Sequence, residues 1–348
     1  MNLFPLIRPV LMRMEPEAAH RLTLLGLKAG LGPRYEGQHP SLKTTLWGKT
    51  FENPLGIAAG FDKDAEVTGA LFDMGFGFVE TGTVTPLPQP GNPRPRIFRD
   101  VNSSSVINRM GFPGRGFENF ERNLKGRARQ GVLGINIGIN KDTPSPANDY
   151  RLGIEKFAPL ADYITVNISS PNTAGLRDLQ MKDHLEALLA GLPRPPVPLL
   201  VKVSPDLTEK EAGDIAGLAL KYKIDGLIVS NTTLSRPAAL AESLKGEKGG
   251  LSGRLLFDLS TKMIADFYRL TEGRVPIVGV GGIASAEDAY AKIRAGALLL
   301  QLYTALVFEG PGLIPRILQG LEALLQKDGF TCLAEAVGTG KTPLKAVV

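Results

Sequence analysis

From about residue 41 the chain alternates two kinds of hydrophobic pattern. Short apolar, β-branched runs fall near 55–59, 77–81, 132–137, 162–167, 198–203, 225–230, 276–280 and 297–302. Segments with apolar residues three and four apart follow most of them, near 64–74, 117–128, 148–158, 182–190, 208–222, 255–271, 285–295 and 312–326. The short runs read as buried strands and the 3.6-residue periodicity as amphipathic helix. Eight βα units in this span predict an α/β fold, a closed (β/α)8 TIM barrel. A doubly wound sheet is the runner-up, and it has no need of eight units. Two stretches, Pro86 to Arg115 and Leu234 to Gly253, are too long for plain connections and read as functional loops.

The N-terminus has its own pattern. Leu3, Phe4, Leu6, Ile7, Val10, Leu11 and Met14 recur at helical spacing, with Arg8 and Arg13 beside them. Glu15-Pro16-Glu17 reads as a second helix start, with proline in the first turn and acid near the positive end of the dipole. Ala18, Ala19, Leu22, Leu25 and Ala29 supply its apolar face, and Gly30 and Gly32-Pro33 end it. A signal peptide fits poorly, because Pro5, Arg8 and Pro9 interrupt the apolar run. Two readings fit: a helical hairpin packed on the core, or a pair of helices lying in one leaflet with arginines at anionic headgroups. At roughly 1.5–3 kcal/mol per buried apolar side chain, such a face is sufficient to hold a membrane surface. The organisation expected is an N-terminal helical segment (1–40), a barrel (41–337) and a C-terminal tail (338–348).

Composition narrows the chemistry. The 348 residues are 43% hydrophobic with 40 glycines and 26 prolines, a globular chain rich in turns. A net charge of +5 without a long Lys/Arg run argues against nucleic acid. One cysteine, Cys332, leaves no internal disulfide, and His20, His39 and His184 lack ligand spacing, so no metal is expected. No run of 18 apolar residues is present, so no bilayer-spanning helix is expected.

The strand tips carry the candidate chemistry. The stretch from Tyr163 to Thr173 begins as a strand and ends with five polar side chains in seven residues, Asn167 to Thr173. The other tips offer Ala59-Gly60-Phe61-Asp62-Lys63, Thr81-Gly82-Thr83, Asn136, Lys202, Ser230-Asn231-Thr232, Gly279-Val280-Gly281-Gly282 and Tyr303-Thr304. A barrel brings all eight tips to one mouth. Neutral amides and hydroxyls with two lysines suit a planar, polar, anionic ligand. The glycine pair after the seventh strand, with Ser285 capping the next helix, suits an anion, and so does Gly253. Together they favour a phosphate-bearing cofactor. Lys202 admits three roles: a snorkelling strand lysine, a Schiff-base nucleophile of an aldolase-type lyase, or a cation beside a flavin.

These motifs resemble the dihydroorotate dehydrogenases, and specifically class 2, the membrane-associated, quinone-using enzymes. The resemblance covers roughly residues 3–337 and rests on Ala58 to Lys63, Asn108 to Phe112, Asn167 to Thr173, Asn231 to Thr233, Gly249 to Gly253 and Gly279 to Gly282. It implies one FMN per chain, at Ala59, Gly60, Lys63, Thr83, Asn136, Asn167, Lys202, Ser230, Gly253, Gly282, Tyr303 and Thr304. It places dihydroorotate at Lys63, Asn108, Arg109, Met110, Gly111, Phe112, Asn167, Asn172, Asn231 and Thr232. Ser170 becomes the general base, where class 1 enzymes carry cysteine, with Thr173 or a water as relay. His20, Arg99 and Tyr303 fall along a quinone tunnel formed by the N-terminal helices, which implies a peripheral enzyme on the cytoplasmic side of the cell membrane. A phosphate-loop reading of Gly338 to Thr342 fails, because the glycine it requires is Glu335.

Overall fold

A computed structural model describes residues 4–125, 130–173 and 175–340. A hairpin of β1 (Thr44–Leu46) and β2 (Lys49–Phe51) precedes the first barrel strand, β3 (Leu55–Ile57). The remaining strands are β4 (Phe78–Val84), β5 (Ile97–Asp100), β6 (Ser105–Asn108), β7 (Val132–Ile137), β8 (Tyr163–Asn167), β9 (Leu199–Val203), β10 (Gly226–Val229), β11 (Gly250–Gly253), β12 (Ile277–Val280) and β13 (Leu299–Leu302). Eight of them close a parallel barrel in the order β3-β4-β7-β8-β9-β10-β12-β13, and β13 pairs back onto β3. The predicted barrel is therefore present, with each strand within a few residues of its expected place.

Alternation along the strands separates two cores. Phe78, Tyr163, Leu200, Ile228, Val278 and Leu299 pack together inside the barrel, while their neighbours Val79, Ile164, Val201, Leu227, Ile277 and Leu300 face the surrounding helices. The hairpin closes the bottom. Phe51 is fully buried 5.6 Å edge-on to Phe78, and Trp47 donates its indole N–H to the Asp225 carbonyl at 2.9 Å. Glycine makes room for these rings: a Cβ on Gly134 would sit 2.0 Å from the Tyr163 ring.

Three differences from the sequence reading have local causes. The first barrel helix starts at Thr68 rather than near 64, because the Asp62 carboxylate takes the N–H groups of Glu66 and Val67 and holds the preceding turn as a loop. The helix expected over 117–128 runs Gly116–Leu124, and the end of that expectation lies outside the described residues. The two long inserts are more than loops: β5, β6 and β11 form an antiparallel sheet, pairing Asn108 with Gly250 and Ser105 with Gly253. Short, half-buried strands carry little pattern, and their pairing across the sequence is a tertiary event.

The N-terminal helices are α1 (Phe4–Arg13) and α2 (Pro16–Lys28). Glu15 caps α2 by accepting the Ala18 N–H at 2.8 Å, with Pro16 in the first turn as expected. None of the α1 residues is buried, and Leu6, Ile7, Val10, Leu22 and Leu25 are exposed. Side chains nevertheless hold the pair in place. Arg99 on β5 donates to the carbonyls of Leu11 and Met14, Arg96 and Arg94 both pair with Glu17, and Arg8 reaches the Phe308 carbonyl at 2.9 Å. Phe51→Ala is expected to destabilise the barrel by about 3–5 kcal/mol, seen as a lowered thermal midpoint. Leu31→Ala, at a side chain 81% exposed, should leave that midpoint almost unmoved.

Candidate active site at the barrel mouth

The same alternation that fills the lower barrel with rings makes its upper layers polar. Glu80 on β4 is fully buried inside the barrel. It accepts hydrogen bonds from Asn136 Nδ2 (2.8 Å), Gln301 Nε2 (2.9 Å), the Tyr163 hydroxyl (3.0 Å) and Thr165 Oγ1 (3.3 Å). Asn136 passes the order upward: its Oδ1 accepts from Thr83 Oγ1 and from Asn167 Nδ2. Asn167 Oδ1 then accepts from Ser169 Oγ at 3.1 Å, and Asn231 Nδ2 donates to that same Ser169 oxygen at 3.0 Å. Buried amides held at both ends in this way have little freedom to turn.

Above this layer lies a cavity of about 1430 Å³ that runs from the strand tips to α1 and α2. Asn108, Asn172, Asn231 and Ser170 line it on one side, and Gly253, Gly281, Gly282 and Thr304 on another. His20, Phe61, Tyr303 and Arg99 line the part nearest the N-terminal helices. Lys202 is buried in the wall; burial lowers its pKa, and the charge of Glu80 opposes that shift. Lys63 donates to the Gly60 carbonyl at 2.6 Å. Burial pulls its ammonium down to about 8, although Glu17 and Asp64 act in the opposite sense. Burial and the nearby Lys63 charge bring His20 down to about 3, so its imidazole is neutral at working pH.

The wall has features suited to a flavin phosphate and a dione ring. Gly253, Gly281 and Gly282 take φ of +94°, +115° and +76°, where backbone N–H groups can approach an anion without a Cβ in the way. A Cβ on Gly253 would lie 2.4 Å from the Ser104 carbonyl, so the position admits glycine alone. On the opposite side the buried Oδ1 of Asn172 has no hydrogen-bond partner, while its Nδ2 donates to Asn108 at 3.2 Å. An orphaned acceptor beside donor amides matches a ring that alternates N–H and C=O groups.

Comparison with known proteins bears on the chemistry directly. A family model described as dihydroorotate dehydrogenase matches residues 41–325. The chain belongs to the dihydroorotate dehydrogenase family. It is 55% identical over 343 residues to dihydroorotate dehydrogenase (quinone) of Parvibaculum lavamentivorans, covering 97% of this chain and 99% of that one. It is 48% identical over 351 residues to the mitochondrial quinone enzyme of Mus musculus, covering 95% and 89%. The crystal structure of DHODH from Eimeria tenella in complex with ferulenol superposes with a TM-score of 0.90 at 40% identity, covering 96% and 98%.

Against that family's site, the residues singled out in the sequence fall as follows. All those expected at the flavin line the cavity except Asn136, which sits beneath it and orients Thr83 and Asn167. All those expected at the substrate line it except Arg109, whose guanidinium pairs with Glu247 at 2.6 Å and stacks 4.5 Å from the Phe98 ring. Ser170, His20, Arg99 and Tyr303 line it, and Thr173 is buried without reaching the wall. Ser285 caps the helix Ala286–Arg294 by accepting the Asp288 N–H, as expected. Sequence reasoning passed over Glu80 and gave Ser169, within the Asn167 to Thr173 stretch, no role of its own. The signal for Glu80 is one carboxylate inside an otherwise apolar and hydroxyl-bearing strand, Phe78 to Val84.

Lys63 lines the cavity and is expected at the substrate carboxylate; in that role it would make substrate binding depend on pH. An anionic carboxylate favours the protonated amine, so the dihydroorotate Kd should be flat below pH 8. It should rise by up to about tenfold per pH unit above that. Isothermal titration across pH 6.5–9.5, with Lys63→Met flat throughout and weaker overall, checks this.

Proposed function

We infer that this chain oxidises (S)-dihydroorotate to orotate in pyrimidine biosynthesis, with FMN as its flavin and a membrane quinone as electron acceptor. One observation carries the reading: a single cavity joins the polar barrel mouth to the paired N-terminal helices, in a chain 55% identical to a quinone-dependent dihydroorotate dehydrogenase. Bound FMN would accept hydride from C6 of the substrate and deliver the electrons to the quinone. The residues around it do the rest. Gly253, Gly282 and Thr304 would hold its phosphate, and Lys202 would supply positive charge beside its ring.

The substrate is held by orientation rather than by strong acids or bases. Lys63 takes its carboxylate, and Asn108, Asn167, Asn172, Asn231 and Thr232 read its ring, with the Met110 to Phe112 turn closing over it. Ser170 Oγ accepts the Asn172 N–H at 3.2 Å, which fixes the oxygen and leaves its proton free to leave. That oxygen removes the proton from C5. Thr173 or a water carries the proton away, since a serine hydroxyl is a weak base unless its own proton moves on. Arg109 serves from outside, holding the stretch that leads into β11 through Glu247.

The segment from Pro171 to Gln180 acts as a lid. Arg177 is its latch, donating to the carbonyls of Ser169 (3.1 Å) and Thr232 (2.8 Å) and pairing with Asp206 at 2.8 Å. Closure excludes water from the reacting carbon. Residues 1–40 form the membrane-facing unit. Among the described residues no helix is long and apolar enough to cross a membrane. The exposed leucines of α1 and α2 settle into one leaflet, on the cytoplasmic side, as a peripheral attachment. The quinone then enters past His20, Arg99 and Tyr303, where a neutral imidazole keeps the passage free of added charge.

Purified protein should show flavin absorbance that bleaches on anaerobic addition of dihydroorotate. Ser170→Ala should slow that bleaching by about 10²–10⁴-fold while leaving the flavin bound. A colourless protein, or a serine variant as fast as the parent, would falsify the assignment. Removal of residues 1–30 should leave flavin reduction by dihydroorotate intact and impair turnover with a long-tailed quinone and binding to vesicles. Full quinone turnover after truncation would count against the tunnel.

A further inference from the structure

The helix Ala286–Arg294 carries a lysine that the reaction leaves unused. Lys292 is fully buried. Its ammonium donates to Ser260 Oγ at 2.7 Å and Thr261 Oγ1 at 2.8 Å, both on the helix Phe257–Leu270, and lies 4.9 Å from the Phe257 ring centroid. Two hydroxyls and a ring face satisfy its geometry without neutralising its charge. Asp258 and Asp288 act on it only through space, and burial still brings its pKa down to about 7. Removing an ammonium from water is costly unless an anion compensates it.

The polar chain that begins at Lys292 ends at the flavin cavity. Ser260 Oγ donates to the carbonyls of Phe257 (3.0 Å) and Gly281 (3.1 Å). The contact is close: a Cβ on Gly281 would lie 2.8 Å from Ser260 Oγ, and one on Gly282 would lie 2.7 Å from the Phe257 nitrogen. The lysine, the serine and the Gly281–Gly282 turn are thus packed in sequence, and only the turn lines the cavity.

We propose that Lys292 is the buried counter-charge of the cofactor phosphate, acting from behind the Gly281–Gly282 turn through Ser260 without touching the ligand. This rests on the flavin reading above. In the low-dielectric interior an ammonium one side chain behind the phosphate cradle favours a dianion there, and the dianion in turn favours the protonated lysine. It gives the site a preference for FMN over the uncharged riboflavin. Lys292 is therefore a positioning residue for the cofactor's charge and plays no part in the transfer of hydride or proton.

The test uses the holoenzyme. Parent, Lys292→Met and Lys292→Gln proteins, each purified with its flavin, are challenged with graded riboflavin, and retained FMN is measured by fluorescence. The ratio of FMN to riboflavin affinity is expected to fall by about 10- to 100-fold in both variants, with riboflavin affinity nearly unchanged. A lysine that only fastened the two helices would weaken both flavins equally, and an unchanged ratio overturns the proposal. If neither variant folds, phosphorus NMR of the parent holoenzyme at pH 6 decides: a dianion is expected, and a half-protonated phosphate, as in free solution, overturns it. Parent protein that holds no FMN would instead sink the flavin reading itself.

Discussion

A closed barrel has no solvent inside it, so each polar group placed there must find its partner among the other strands. Glu80 meets that constraint for this molecule. Four donors from β7, β8 and β13 converge on its carboxyl group, tying one side of the barrel to the other at the level where rings give way to amides. Among the residues of this network Gln301 alone keeps a buried atom, Oε1, without a partner; a network left half-satisfied would be worse than an apolar core. Because Asn136 is fixed from below, Thr83 and Asn167 are fixed above it. The flavin-facing surface is thus the top of a column of hydrogen bonds that starts well below the site.

The two inserts solve a different problem, that of roofing a barrel mouth without filling it. By pairing β6 with β11 they form a small sheet whose central strand ends at Asn108 and whose edge strand β11 ends at Gly253. One element therefore touches both the expected substrate side and the expected phosphate side of the cavity. The same sheet carries Arg99, and the turn before it carries Arg94 and Arg96. Through these arginines the N-terminal helices are fixed to the roof, while Arg8 and the Arg21 and Lys28 pairs with Glu66 fix them to the barrel body. The cavity is continuous for that reason. The expected substrate side and the N-terminal helices meet across one shared wall.

Much of this was legible in the chain as a string. Strand–helix alternation at regular intervals is dictated by period-two and period-3.6 burial, both local properties, so eight units and a barrel could be counted. The tip residues Asn167, Lys202 and Asn231 were legible because polar side chains at the end of a β-branched run have few other reasons to be there. The inserts were legible as unusual but not as a sheet, since Ile97–Asp100 and Gly250–Gly253 are short strands whose partners lie far along the chain. Glu80 and Lys292 were not legible as partners of anything. A lone carboxylate in a buried strand signals burial without naming its partners, and a lysine in an amphipathic helix looks alike whether it meets solvent or a buried hydroxyl.

The sequence by itself determined the eightfold repeat, the polar rim and the apolar face of the two leading helices, because each follows from spacing within one segment. Only the tertiary structure decided that Asn136 supports the flavin wall from beneath, and that Arg109 turns outward to Glu247. It also decided that Asn172 keeps an acceptor unpaired beside Asn108. The physical reason is common to all three. A side chain's role depends on which distant groups desolvate it or bond to it, and closure of the barrel and pairing of its inserts bring those groups together.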